Sequence, residues 1–232
     1  MNSASELDRE KQLAAEAAAE AAESGMTVGL GTGSTVAYLL PALAARKLDL
    51  VCVATSPRTA ERARELGIKV ESFEGANAPT RLDLAIDGAD EVAPSGWLVK
   101  GGGGAHTREK AVAAAADRFI VIVSSNKLVE RLGPPIPLEL LEFGLGATLK
   151  RLETVKLRDV PRSPDGGVIA DYTGEFSDPE QLAAQLSATT GVVEHGLFGP
   201  ALVSEVLVAR GGQIDRLVPQ SSSMPSSSSP AS

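Results

Sequence analysis

"AHTREKAVAAAADRFIVIVSS", residues 105–125, passes from an alanine-rich segment with charged ends into an apolar run with no polar alternation. Such a run suits a strand buried on both faces. A helix that feeds directly into it is the repeating unit of a parallel sheet covered by helices. Toward the N-terminus the alternation recurs. "LDLAID" (82–87), "IKVES" (68–72), "LDLVCVAT" (48–55) and "MTVGLG" (26–31) read as strands. "PRTAERARELG" (57–67), ended by Gly67, and "VAYLLPALAARK" (36–47) read as helices, with Pro41 expected to kink the second or delay its regular part. Ahead of them "ELDREKQLAAEAAAEAAESG" (6–25) is a helix expected to stop at Gly25.

Beyond residue 132 the pattern changes. "PPIPLELL" (134–141) reads as a proline-punctuated connection, "ATLKRLE" (147–153) as a helix, "VKLR" (155–158) and "GGVIADY" (166–172) as short strands, and "DPEQLAAQLSATTG" (178–191) as a capped helix leading into "VVEHGLF" (192–198). "SEVLVARGGQIDRLV" (204–218) supplies one or two closing strands. The expected fold is α/β: a Rossmann-like, mostly parallel sheet covered by helices, with a smaller α+β, ferredoxin-like lid. The expected division is 1–132 for the main domain, 133–198 for the small one, 199–219 for strands returning to the first, and 220–232 for a disordered Ser/Pro/Ala tail.

Composition bounds the function. The chain has 232 residues, 43% hydrophobic and 22% charged, enough to bury a core. Its formal charge of -8 argues against nucleic-acid or anionic-membrane partners, so any bound anion needs a local site. The one cysteine, Cys52, sits in an apolar run and reads as a buried structural thiol. No leader pattern or membrane-length apolar stretch is evident, and the expected location is cytoplasmic.

In an open parallel sheet, ligands bind at the carboxyl ends of the strands, so polar clusters that follow strands are informative. There are four. "GLGTGST" (29–35) brings Thr32, Gly33, Ser34 and Thr35 to a helix N-terminus, which suits a phosphate. A structural turn ranks second and a nicotinamide cofactor third, because Ser34 replaces the third glycine of the dinucleotide fingerprint and the next strand ends in Thr55 and Ser56 rather than an acid. Asp87, Gly88, Ala89 and Asp90 form the second cluster. Its two carboxylates suit acid–base work, hydroxyl binding or a divalent cation; taken alone the pattern favours an Asx-turn or cap, and its adjacency to the other clusters shifts the balance. The third cluster is Lys100 with Gly101, Gly102 and Gly103 at the end of "GWLVK" (96–100). Glycine amides and an ammonium can hold an oxyanion there, with Glu109 about one turn into the helix as a base, unless the segment is only a flexible loop with an exposed helix face. A helix N-terminus lowers a carboxylate pKa, so a working base there requires compensating desolvation. Ser124, Ser125, Asn126 and Lys127 form the fourth.

"GLGTGSTVAYLLPAL", "DLAIDGADEV", "LVKGGGGAHTREK" and "SSNKLVERLG", in this order and spacing, resemble the type A ribose-5-phosphate isomerase family, over all but the serine-rich tail. The resemblance implies an aldose–ketose isomerase of the non-oxidative pentose phosphate pathway, acting through an enediolate without metal or organic cofactor. It implies Glu109 as general base, Thr32, Gly33, Ser34 and Thr35 as a substrate loop, and Asp87, Gly88, Ala89, Asp90, Lys100, Gly101, Gly102 and Gly103 as the lining of the sugar site. Lys127 becomes a further substrate contact, and Lys11 matches a family lysine near the phosphate. Lys100 and the glycine amides then stabilise the developing oxyanion. Asp87 becomes the candidate for ring opening and Asp90 for orienting hydroxyls, with an exchange of those roles open. Gly104 and His106 depart from the family pattern; His106 is expected on the helix surface or in packing, and His195 in a structural role. Relatives form homodimers or homotetramers, which implies a homo-oligomer. A sugar-phosphate sensor would need a DNA-binding module, and none is evident. A related deaminase or coenzyme A transferase would need a different base or a glutamate nucleophile.

Overall fold

The computed structural model describes residues 3–219; the expected tail, 220–232, lies outside them. The first half alternates as its sequence suggests. Helix α1 (Ala4–Ala19) is followed by β1 (Thr27–Leu30), α2 (Val36–Ala45), β2 (Val51–Ala54), α3 (Pro57–Glu65) and β3 (Leu84–Asp87). Two short strands, β4 (Glu91–Val92) and β5 (Leu98–Val99), precede α4 (His106–Ala115) and β6 (Phe119–Ser124). At the other end of the chain β12 (Glu205–Arg210) and β13 (Gln213–Leu217) return to the same sheet, whose order is β13-β12-β6-β3-β1-β2. All neighbours pair in parallel except the β12–β13 hairpin.

The apolar run that opened the argument explains the layering. Every residue of β6 is buried. Ile120 and Ile122 pack with Ala14, Ala18, Leu39 and Leu40 of α1 and α2 on one face, while Phe119, Val121 and Val123 pack with Val112 of α4 on the other. Successive strand side chains point to opposite faces, so an unbroken apolar run is the pattern that two helical layers require. Ser3 and Glu6 close a capping box on α1. Glu10, on the same helix, is 4% exposed and accepts from the Ser125 amide and hydroxyl at 2.9 and 2.8 Å and from the Gly211 amide at 3.3 Å. That carboxylate fixes α1 against the carboxyl end of β6 and the β12–β13 turn.

Between β6 and β12 lie β7 (Ile136–Leu140), α5 (Leu145–Leu152), β8 (Val155–Leu157), β9 (Val168–Tyr172), α6 (Pro179–Ala188) and β10 (Val192–His195). Their βαββαβ succession, sheet order β10-β7-β9-β8 and wholly antiparallel pairing are those of a ferredoxin-like unit. Asp178 caps α6, accepting from the Glu180 and Gln181 amides, as the capped-helix pattern implied.

Several local readings need correction. "PPIPLELL" is not a connection: it contains β7, an inner strand of the four-stranded sheet. Pro137 is tolerated because it stands at the start of β7, one residue outside the β10 pairing that begins at Leu138↔His195, where its carbonyl accepts from the Gly196 amide at 2.7 Å. "IKVES" forms no strand; Val70 makes one parallel bridge to Cys52 at the sheet edge. Helix α1 ends at Ala19, short of Gly25. Helix α2 begins at Val36 with Pro41 inside it, so the proline does not delay it. "GWLVK" does not join the parallel sheet: β5 pairs antiparallel with β4 and with β11 (Leu197–Phe198) in a three-stranded sheet. No described helix is long and apolar enough to cross a membrane.

Candidate active site

Three ionisable side chains meet at the bottom of a cleft beyond the carboxyl ends of β1, β3 and β6. Lys100 Nζ lies 2.8 Å from Asp87 Oδ2 and 3.2 Å from Glu109 Oε2, and donates to the Gly88 carbonyl. Lys100, Asp87 and Glu109 are respectively 2%, 3% and 5% exposed, so these charges interact in a dry setting. The Phe198 ring stands 5.4 Å from the ammonium.

Each member is positioned by its element. Asp87 ends β3, and its carboxylate accepts from the Gly88 amide at 2.7 Å and the Thr32 amide at 3.0 Å. It fits only because Gly31 has no side chain; a Cβ there would stand 1.9 Å from the Asp87 carboxyl carbon. Lys100 follows β5, whose pairing carries the lysine to the mouth of the sheet, where its amide donates to the Gly196 carbonyl at 2.8 Å. Glu109 lies in the first turn of α4, with its amide bonded to the Ala105 carbonyl at 2.9 Å. Its sequence neighbours hold α4 to the four-stranded unit: Thr107 donates to Glu139, Arg108 reaches Asp165 at 2.8 Å, and Lys110 reaches Glu194 at 2.6 Å.

Electrostatics supply the desolvation that a base at a helix N-terminus requires. Burial, with the Asp87 charge adding to it, pushes the Glu109 carboxyl up to about 8 against the opposing pull of Lys100. Burial also raises Asp87, with Lys100 and the two amides opposing. Burial disfavours the Lys100 charge, but its two carboxylates outweigh that and hold it above the usual lysine range. His106 is fully buried, not on the helix surface, and burial pushes it down to about 4, so it is neutral at physiological pH. His195 is also buried, with Ser187 Oγ 3.1 Å from Nε2 and the Leu197 amide donating to Nδ1 at 3.2 Å, a structural setting.

Thr32, Gly33, Ser34, Thr35, Gly88, Ala89, Asp90, Lys100, Gly101, Gly102, Gly103, Glu109 and Lys127 line the cleft together. Asp87 lies behind Lys100 and is not among them. The amides of Gly33, Ser34 and Thr35, at the start of α2, meet no acceptor among the described residues, and Lys127 makes no ion pair there. Asp90 accepts from the Gly102 amide at 2.7 Å, and the Thr32 and Thr55 hydroxyls share a 2.8 Å hydrogen bond. Lys11 is not among the residues that line the cleft, and its ammonium pairs with Asp8 at 3.0 Å. No group of His, Cys, Asp and Glu that could hold a metal ion occurs among the described residues.

The model of ribose 5-phosphate isomerase A (phosphoriboisomerase A) matches residues 51–213. The chain belongs to this family. A ribose-5-phosphate isomerase A of Caulobacter sp. (strain K31) is 44% identical over 227 residues, which cover 91% of this chain and 99% of the relative. Among solved structures, the ribose 5-phosphate isomerase A of Neisseria gonorrhoeae superposes with a TM-score of 0.86 at 31% identity, covering 93% of this chain and 98% of its own. A D-ribose-5-phosphate isomerase in complex with phospho-erythronic acid superposes at 0.84 with 32% identity, covering 94% and 100%.

For this member of the ribose 5-phosphate isomerase A family, sequence reasoning missed the residues that hold the glycine loop and α4 from outside. Arg158 donates to the Gly101 and Gly102 carbonyls, and Glu139 accepts from Thr107 and Ser163. Their partners lie 24 to 57 residues away, so no local motif announces them; the one signal in the sequence is a lone charged residue, Glu139, in the otherwise apolar run 136–141, and the structure buries it to 1% exposure.

Proposed function

We propose that the protein interconverts D-ribose 5-phosphate and D-ribulose 5-phosphate through an enediolate, with Glu109 carrying the proton between C2 and C1. The observation that carries this reading is the Glu109–Lys100 pair, 3.2 Å apart and buried below a cleft lined by glycine amides. A carboxylate raised to about 8 is basic enough to take a C2 proton and, once protonated, acidic enough to return it to C1. The Lys100 ammonium and the glycine amides face the position where negative charge grows on the former carbonyl oxygen. Family membership supports the substrate, and the complex of a relative with phospho-erythronic acid supports a phosphorylated four- or five-carbon acid or sugar as the ligand type.

The phosphate is assigned to the three open amides of Gly33, Ser34 and Thr35 at the α2 N-terminus, with Lys127 as counter-charge. Substrate in its furanose form must first open. Asp90 lines the cleft while Asp87 is locked between Lys100 and two amides, which favours Asp90 for contact with the ring oxygen or hydroxyls and Asp87 as the group that orients Lys100. The assignment of Lys11 to the phosphate has no support in its Asp8 pairing.

The pH dependence tests this assignment of the base. Because Glu109 must be ionised in the free enzyme, kcat/KM is expected to rise about tenfold per pH unit on the acid side and level off above about 8. That limb lies well above the second ionisation of the substrate phosphate, near about 6. A profile already flat from pH 6 upward would remove Glu109 from the role. Turnover is expected to survive EDTA. The protein is further proposed to be cytoplasmic and homo-oligomeric; a monomer mass by light scattering at micromolar protein would overturn the second point.

A further inference from the structure

We propose that Arg158 is a positioning residue for this isomerisation, acting through the glycine loop; the proposal rests on the isomerase reading above. Arg158 follows β8, and its amide donates to the Ile169 carbonyl at 3.0 Å, which fixes its backbone to β9. Its guanidinium is forked onto Asp171 through Nε at 2.8 Å and Nη2 at 2.6 Å. The remaining nitrogen, Nη1, donates to the carbonyls of both Gly101 and Gly102 at 3.0 Å. One planar cation thus joins a carboxylate of the four-stranded unit to two consecutive peptides of the loop that lines the cleft.

Peptide geometry gives this clamp its consequence. In a trans peptide the N–H points opposite to the preceding carbonyl. Holding the Gly101 and Gly102 carbonyls toward Arg158 therefore turns the Gly102 and Gly103 amides the other way. The Gly102 amide meets Asp90 at 2.7 Å, and the Gly103 amide meets no acceptor among the described residues. Four consecutive glycines have little conformational preference of their own, and Gly101 and Gly104 adopt φ of +101° and +74°. The open Gly103 amide is useful to a developing oxyanion only if something outside the loop fixes it. Arg158 does so, and a lysine could not, because one ammonium cannot reproduce the guanidinium fork.

The test compares Arg158→Ala, Arg158→Lys and Asp171→Asn with the wild type, measuring kcat, KM, inhibition by phospho-erythronic acid and thermal stability. Arg158→Ala is expected to lower kcat by about 10- to 10²-fold with KM within about threefold, since the loop acts on the reacting centre rather than the phosphate. Inhibition by phospho-erythronic acid, whose planar carboxylate resembles the enediolate, is expected to weaken in step with kcat. Arg158→Lys is expected to recover little, Asp171→Asn to fall in between, and added methylguanidinium to restore part of the Arg158→Ala rate. Unchanged kcat, a defect confined to KM, or a loss of thermal stability without rescue would overturn the proposal. A wild type without turnover would instead overturn the isomerase reading itself, which separates the two failures.

Discussion

Lys100→Met is expected to lower kcat/KM for ribose 5-phosphate by at least ~10²-fold, because in the proposed mechanism it removes the full positive charge nearest the developing oxyanion. It is also expected to destabilise the fold. The lysine is 2% exposed and serves two carboxylates, so methionine fills its volume while leaving Asp87 and Glu109 buried without a counter-charge. Breaking a buried pair in this way costs about 3–5 kcal/mol when the orphaned group stays ionised. The carboxylates can escape part of that cost by taking up protons, which fixes the sign of the pH dependence. Both already have raised pKa values, and losing Lys100 raises them further. A carboxyl with a raised folded-state pKa weakens the fold progressively as pH rises from its unfolded value through its folded one. The Lys100→Met defect is therefore smallest near pH 4 and grows toward pH 8 and above, as urea unfolding across that range would show. A defect that shrank as pH rose would mean that the lysine does not neutralise this pair.

Glu109→Gln is expected to share the loss of turnover but to reverse the effect on stability. Glutamine keeps the shape of the side chain but cannot act as the proposed base at C2, so kcat is expected to fall at least ~10²-fold while KM changes little. The acid limb near pH 8 disappears with it. Stability moves the other way. The wild-type carboxyl titrates at about 8 in the fold against 4.5 as its ordinary value, so its burial weakens the fold progressively over that interval. Glutamine carries no such burden, and it leaves Lys100 and Asp87 as a balanced pair. The variant should become more stable than the wild type as pH rises, the pattern expected where an active site holds a destabilised group. An inactive variant that is also less stable at pH 8 would point to a structural rather than a catalytic glutamate.

These effects trace back to features that differ in how plainly the sequence displays them. The parallel sheet was legible because β6 is an unbroken apolar run and the strands β1 and β2 are each followed directly by a helix. The convergence of Thr32, Asp90, Lys100 and Lys127 was legible because each follows a strand, and Glu109 lies in the first turn of the helix after Lys100. Elements decided by distant partners were not. Leu98 and Val99 form too short a run to declare their sheet, and Lys100 is delivered by pairing with Leu197 and Phe198, almost a hundred residues later. Three prolines within residues 134–137 made β7 look like a connection, because the neighbouring strand that excuses Pro137 comes from residues 192–195. Val70 reads as a strand residue by composition but finds only Cys52 to bridge. Burial was hidden in the same way: nothing local says that Glu109 is 5% exposed, although its raised pKa depends on that.

The most direct test of proton transfer by Glu109 through an enediolate is proton NMR of ribose 5-phosphate incubated with the protein in D2O over many turnovers. Wild type is expected to replace the C2 hydrogen of recovered ribose 5-phosphate, and one C1 hydrogen of ribulose 5-phosphate, with deuterium, while Glu109→Gln at equal concentration leaves both unexchanged over the same period. Equilibration of the two sugars with no deuterium at either carbon would show that the hydrogen moves directly between them and would contradict the mechanism.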